Sequence, residues 1–165
     1  MNREELYFTV AGVEPGPQGS KRHVGNGVMI EASKKVAPFR AAVADAVFTA
    51  FVATGDERQF TEPVEVWATF YLPKPPSVKR LLPSVPPDLD KLQRTLGDAL
   101  SINCQVLKDD SLIVRWHASK LYASNPADMG VRVAIKTVAL AEADRDKNNA
   151  SITFHEKLHF LSEGH

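Results

Sequence analysis

Two carboxylates one residue apart, Asp88 and Asp90, stand in the stretch PPDLDKLQRTLGDAL, residues 86–100. Two more, Asp109 and Asp110, are adjacent in LKDDSLIV. Side chains two positions apart point to the same side in extended chain and diverge inside a helix. An extended Asp88 followed by a helix-start Asp90 can therefore aim both carboxylates into one space. Hard divalent cations take oxygen ligands, and Mg²⁺ usually keeps waters and completes its shell with substrate phosphate. Two acids alone make a weak site, and one of Asp109 and Asp110 would complete a three-carboxylate cluster. The plainer reading is structural. Asp88 would cap a helix, worth about 1 kcal/mol, and Asp90 would complement the helix dipole and pair with Arg94 at i,i+4. The adjacent acids would blunt a strand edge.

These residues need elements to hold them. Pro86 and Pro87 give an extended approach that cannot continue a helix backwards. From about 88 to 102, Leu89, Leu92, Leu96, Ala99 and Leu100 form an apolar stripe, so a helix is expected, with Asp90, Arg94 and Asp98 sharing its exposed side. An earlier helix is expected over 33–55, with Ser33 as N-cap, Phe39, Val43, Val47 and Phe51 every fourth residue, and Gly55 as the stop. LYFTVAG (6–12) and VEVWATFYLPK (64–74) read as strands. DDSLIVRWHASKLYAS (109–124) and MGVRVAIKTVAL (129–140) also read as strands, and the SNPAD between them predicts a hairpin. Asn26-Gly27 suits a tight turn of a short hairpin within 13–33. Residues 73–87 hold six prolines and read as a loop or extended arm. The order gives an α+β domain, a small mixed β-sheet with two main helices, over 1–140, followed by a tail at 141–165.

The chain of 165 residues is 44 % apolar, enough for one packed core, and its formal net charge is zero. A uniformly cationic coat is therefore excluded, although local patches are not. Cys104 is the single cysteine, which excludes an internal disulfide. With no apolar run of signal or membrane-span length, a cytoplasmic setting and no membrane partner are expected.

PPDLDKLQRTLGDAL, VLKDDSLIV, KLYAS and GVRVAI together resemble the RusA family of Holliday junction resolvases, common in phages and prophages. The turn-rich PGPQGSKRHVGNGVMIEASKKVAPFR is similar to that family's Pro-x-Gly-x-x-Arg region, and the likeness covers most of residues 6–140. It implies a RusA-like, dimeric fold and a Mg²⁺-dependent endonuclease, with Mn²⁺ as a possible substitute, that nicks four-way DNA junctions symmetrically in recombination and repair. By position the family's catalytic and metal-holding acids fall on Asp88, Asp90 and Asp110, with Asp109 and Asp98 in the neighbouring pattern. The family's lysine falls on Arg94, which keeps the charge but cannot relay a proton. Lys91 stands where the family usually has Asn. An alternative follows from the first departure: a branched-DNA-binding protein of the family that cuts weakly.

Cations flank the acids: Lys21, Arg22, Lys34, Lys35 and Arg40 on one side, Lys74, Lys79, Arg80 and Lys91 on the other, and Lys120 in the later strand. Lys21, Arg22, Lys34, Lys35, Lys79, Arg80, Lys91 and Lys120 are the candidates for DNA phosphate contact. The balancing acids, Glu142, Asp144 and Asp146 among them, lie in the tail. Leu81 or Leu82 could serve as an apolar wedge. His155, Glu156 and His159 fit a zinc metalloprotease pattern, but Ser162 replaces its glycine and the sequence stops at His165. An amphipathic run with Phe154, Leu158 and Leu161 is the simpler reading.

Overall fold

The computed structural model describes residues 3–19, 21–23, 25–27, 29–31 and 33–138, with the backbone alone for 21–23 and 29–31. The tail expected at 141–165, with its zinc-protease pattern, its amphipathic run and its balancing acids, lies outside the described residues.

Four strands make a mixed sheet: β1 (Glu5–Ala11), β4 (Val64–Leu72), β5 (Ile113–Tyr122) and β6 (Gly130–Thr137), in the order β1-β6-β4-β5. Two short strands, β2 (Lys21–His23) and β3 (Met29–Glu31), form a separate hairpin. At its tip Asn26 and Gly27 both have positive φ, 49° and 75°, as the Asn-Gly pair predicts. Two helices, α1 (Val36–Thr54) and α2 (Leu89–Asp98), complete an α+β fold. Alternation explains the layers. Leu6, Phe8 and Val10 of β1, Val64, Val66, Ala68, Phe70 and Leu72 of β4, and Val131, Val133 and Ile135 of β6 are buried in one core. Phe39, Val43 and Val47 of α1 and Leu92 and Leu96 of α2 join them. By length and composition α1 would suit a membrane span, but this edge of it packs in the core.

Three expectations are corrected. First, β5 and β6 do not pair as a hairpin: β4 lies between them, parallel to β5 and antiparallel to β6. The reason is burial. β6 places Val131, Val133 and Ile135 inward and takes a central position, whereas β5 carries Arg115, His117, Ser119 and Lys120 and forms the edge. Second, α1 begins at Val36, with Lys35 rather than Ser33 in the N-cap position. The Ser33 hydroxyl accepts from the Lys35 N–H at 3.4 Å instead. Gly55 does end the helix, at φ 64°. Third, α2 stops at Asp98 and the chain runs on through a π-helical turn, Ala99–Asn103.

Candidate active site

Asp88 occupies the N-cap position of α2 in extended conformation, φ −69° and ψ 142°, and its carbonyl accepts from the Lys91 and Leu92 N–H groups. Its carboxylate makes no capping hydrogen bond. The capping reading is thus right about the backbone and wrong about the side chain. Asp88 is exposed and has no side-chain partner among the described residues. At the second acidic pair the roles separate. Asp109 is extended, and its carboxylate accepts from the Ser111 N–H at 2.9 Å, capping a short 3₁₀ turn, Asp110–Leu112. That bond holds its carboxyl below the usual carboxylate range. Asp110, one residue on, is turned elsewhere.

It is turned toward α2. A cleft of about 310 Å³ is lined by Asp90, Gln93, Arg94 and Gly97 from α2, by Asp110 from the 3₁₀ turn, and by Ile113 and Trp116 from the start of β5. Positions 90, 93, 94 and 97 share one helix face, and buried Leu92 and Leu96 on the other side fix that face outward. Leu89, Ile113 and Trp116 pack against the core beneath it. Asp90 does not pair with Arg94 as expected; its carboxylate takes the Lys91 ammonium at 2.6 Å, a bond that lowers its pKa. Arg94 is exposed, lines the cleft and has no ion-pair partner among the described residues. Among the described residues no group of three or more His, Cys, Asp and Glu side chains converges as a metal cage. The expected three-carboxylate cluster is therefore not assembled by the protein alone: Asp90 and Asp110 share the cleft, Asp88 stands at its helix end, and Asp109 is a cap. This all-oxygen donor set fits a hard divalent cation that keeps waters and takes phosphate oxygens, rather than an all-protein cage.

Asp98 belongs to the scaffold. Its carboxylate pairs with Arg40 of α1 at 2.5 Å and accepts from the Gln18 side-chain amide nitrogen at 2.6 Å, while Arg40 also donates to Gln18 Oε1. This ties the 13–19 loop to both helices. Thr95 adds a hydrogen bond to the Gly16 carbonyl at 2.6 Å, and Gln18 N–H donates to the Lys91 carbonyl at 3.1 Å. The β2–β3 hairpin, with the backbone of Lys21 and Arg22, therefore leaves from beside the Asp90–Lys91 turn. Neither Gln18 nor Trp116 stands out in sequence. Trp116 reads as strand packing, and only the parallel β4–β5 pairing sets it under α2.

The expected DNA contacts divide. Lys34 and Lys79 are exposed. Lys35 pairs with Glu14 at 2.6 Å, Lys91 pairs with Asp90, and Arg80 donates to the Tyr122 hydroxyl at 3.1 Å. Lys120 is engaged inward, its ammonium donating to the Val85 and Pro87 carbonyls, both at 2.8 Å. On the proline arm Leu81 and Leu82 are exposed, Leu81 at 85 %. A larger depression of about 820 Å³ lies on the outer sheet face, lined by Tyr7, Trp67, His117 and Arg132 among others. It contains no carboxylate, and nearby Glu65 is held by Arg115 and His117. Burial pushes the Cys104 thiol up to about 12, so it is no nucleophile.

A family model described as endodeoxyribonuclease RusA matches residues 13–136. The match contains α1, α2, the cleft and both acidic pairs. No curated protein matches the chain.

Proposed function

The chain belongs to the RusA endodeoxyribonuclease family, and from that premise we propose that it resolves four-way DNA junctions by paired, Mg²⁺-dependent nicks, acting as a homodimer. One observation carries the reading: Asp90, Asp110 and Arg94, from two separate elements, line one cleft, while the neighbouring acids Asp98 and Asp109 are occupied by structural bonds. Asp90 and Asp110, with Asp88 beside them, are the residues that would hold the cation. When bound, Mg²⁺ (or Mn²⁺) supplies a water of lowered pKa and charge neutralisation at the phosphate. The protein's own residues do the rest. Asp90 is an exposed carboxylate whose pKa the Lys91 ammonium lowers, so it offers oxygen donors at the cleft. Arg94 offers a permanent planar cation to a phosphate at the cleft, where it can spread transition-state charge. Water oxygen attacks phosphorus, the P–O3′ bond breaks, and the products are a 5′-phosphate and a 3′-hydroxyl. Exposed Lys34 and Lys79, with Lys21 and Arg22 on the hairpin, are the cations for tracking phosphates.

A second reading, binding branched DNA with weak cutting, is favoured by one residue: Arg94 stands in the position of the family's lysine. One experiment separates the two. A synthetic four-way junction is incubated with wild type and Asp90→Asn, in Mg²⁺ and in EDTA. Paired nicks that need Mg²⁺ and vanish in the variant are expected. Junction binding without nicks supports the second reading. Neither binding nor cutting overturns both.

A further inference from the structure

We propose that Lys120 is a positioning residue for Asp88, an inference that rests on the metal-site reading above. The proline arm must end by delivering Asp88 in extended conformation to the N-cap of α2. Prolines supply no N–H groups with which to fasten that end. The fastening comes instead from the edge strand. Lys120 of β5 donates to the carbonyls of Val85 and Pro87, both at 2.8 Å, and Pro87 is the residue immediately before Asp88. Two residues further along β5, the Tyr122 hydroxyl accepts from Arg80, and Lys74 lies over its ring at 5.6 Å. Four arm residues, Lys74, Arg80, Val85 and Pro87, are thus fastened to the strand that carries Ile113 and Trp116 and follows directly on the Asp110 turn. Asp88 has no side-chain capping bond of its own to hold it, so the peptide before it sets its direction. The Lys120 ammonium, turned to two backbone carbonyls, is spent on this clamp rather than on DNA. Supporting groups of this kind commonly govern metal affinity by about 10- to 100-fold when removed.

The test reads Mn²⁺ binding to the protein alone, by electron paramagnetic resonance titration, and junction binding in EDTA. Lys120→Met is expected to weaken Mn²⁺ binding about tenfold while leaving junction affinity within twofold. Lys120→Arg, which keeps charged donors, recovers most of the loss. In a double-mutant cycle, adding Lys120→Met to Asp88→Asn costs nothing further, because both act through one carboxylate. Unchanged Mn²⁺ binding in Lys120→Met, additive losses in the cycle, or a tenfold loss of junction binding overturns the proposal. If Lys120→Met does not fold, Lys120→Arg and Lys120→Gln carry the same comparison. Wild type that binds no Mn²⁺ overturns the metal-site reading itself, and the Lys120 role with it; equal Mn²⁺ binding by wild type and Lys120→Met overturns only the latter.

Discussion

At the scale of single residues, chemistry is separated from scaffold by what each polar group is already bonded to. Asp109 and Asp110 are chemically identical neighbours, yet one caps a turn through Ser111 and the other lines the cleft. Asp90 and Asp98 share a helix, yet Asp98 is bound to Arg40 and Gln18. Arg94 stands where the family resemblance implies a lysine, and its position at the cleft decides how much that matters. A guanidinium at the cleft can stabilise charge but cannot relay a proton. Arg94→Ala is therefore expected to lower the cleavage rate by about 10²-fold with junction binding retained, whereas Arg94→Lys stays within about tenfold of wild type. Single-turnover cleavage with a parallel binding assay checks this. A large gain in Arg94→Lys would show that a proton-relaying lysine is what the site lacks.

At the scale of elements, the 13–19 loop is what joins the two helices to the β2–β3 hairpin. Gly16 is required there by close approach rather than by its φ. A Cβ at this position would stand 2.4 Å from the Lys35 carbonyl carbon and 2.6 Å from the Val36 nitrogen, backbone atoms that cannot swing aside. Its carbonyl also receives the Thr95 hydroxyl. Gly16→Ala is expected to cost about 1–3 kcal/mol, a fall in Tm of roughly 3–10 °C, by calorimetry. It should weaken junction binding as well, because the displaced loop leads into Lys21 and Arg22. An unchanged Tm would mean that the loop can shift freely. The helices themselves were legible from sequence: the Leu92/Leu96 and Phe39/Val43/Val47 spacings give both, to within a few residues. Their ends were less so. Ser33 and Asp88 look like caps, yet Lys35 takes the N-cap position of α1 while the Ser33 hydroxyl accepts from its N–H, and the Asp88 carboxylate makes no capping bond, since a side-chain oxygen near a helix start can bond elsewhere or face solvent.

At the scale of the whole molecule, Arg3 links the beginning of the chain to its centre. It is buried at 2 % exposure, lies over the Phe51 ring at 5.0 Å, and donates to the carbonyls of Glu5 and Asp56, while its own carbonyl receives the Thr137 hydroxyl. The Asp56 carboxylate stands 3.7 Å from this guanidinium. Hydrogen bonds from Arg58, with a further contribution from Arg3, hold Asp56 well below the ordinary value of 3.8. The sign follows. A folded-state pKa below the unfolded one contributes stability that is present above about pH 4 and is lost as pH falls toward the folded value. Asp56→Asn is therefore expected to destabilise at pH 7, and its gap from wild type to narrow progressively as pH falls below about 4, read from urea midpoints across that range. A gap that does not narrow on acidification would exclude Asp56 as the source. By itself, the sequence determined an α+β chain with two helices, the short hairpin, a proline arm and the acids to consider, because periodicity, turn residues and local spacing act over a few positions. It did not determine that β4 lies between β5 and β6, which acid of each pair faces the cleft, that Asp98 serves Arg40, or that Lys120 holds the arm. Those contacts join residues tens of positions apart, Lys120 with Val85 and Arg40 with Asp98. They exist only once burial has chosen which strand takes the centre of the sheet and which takes its edge.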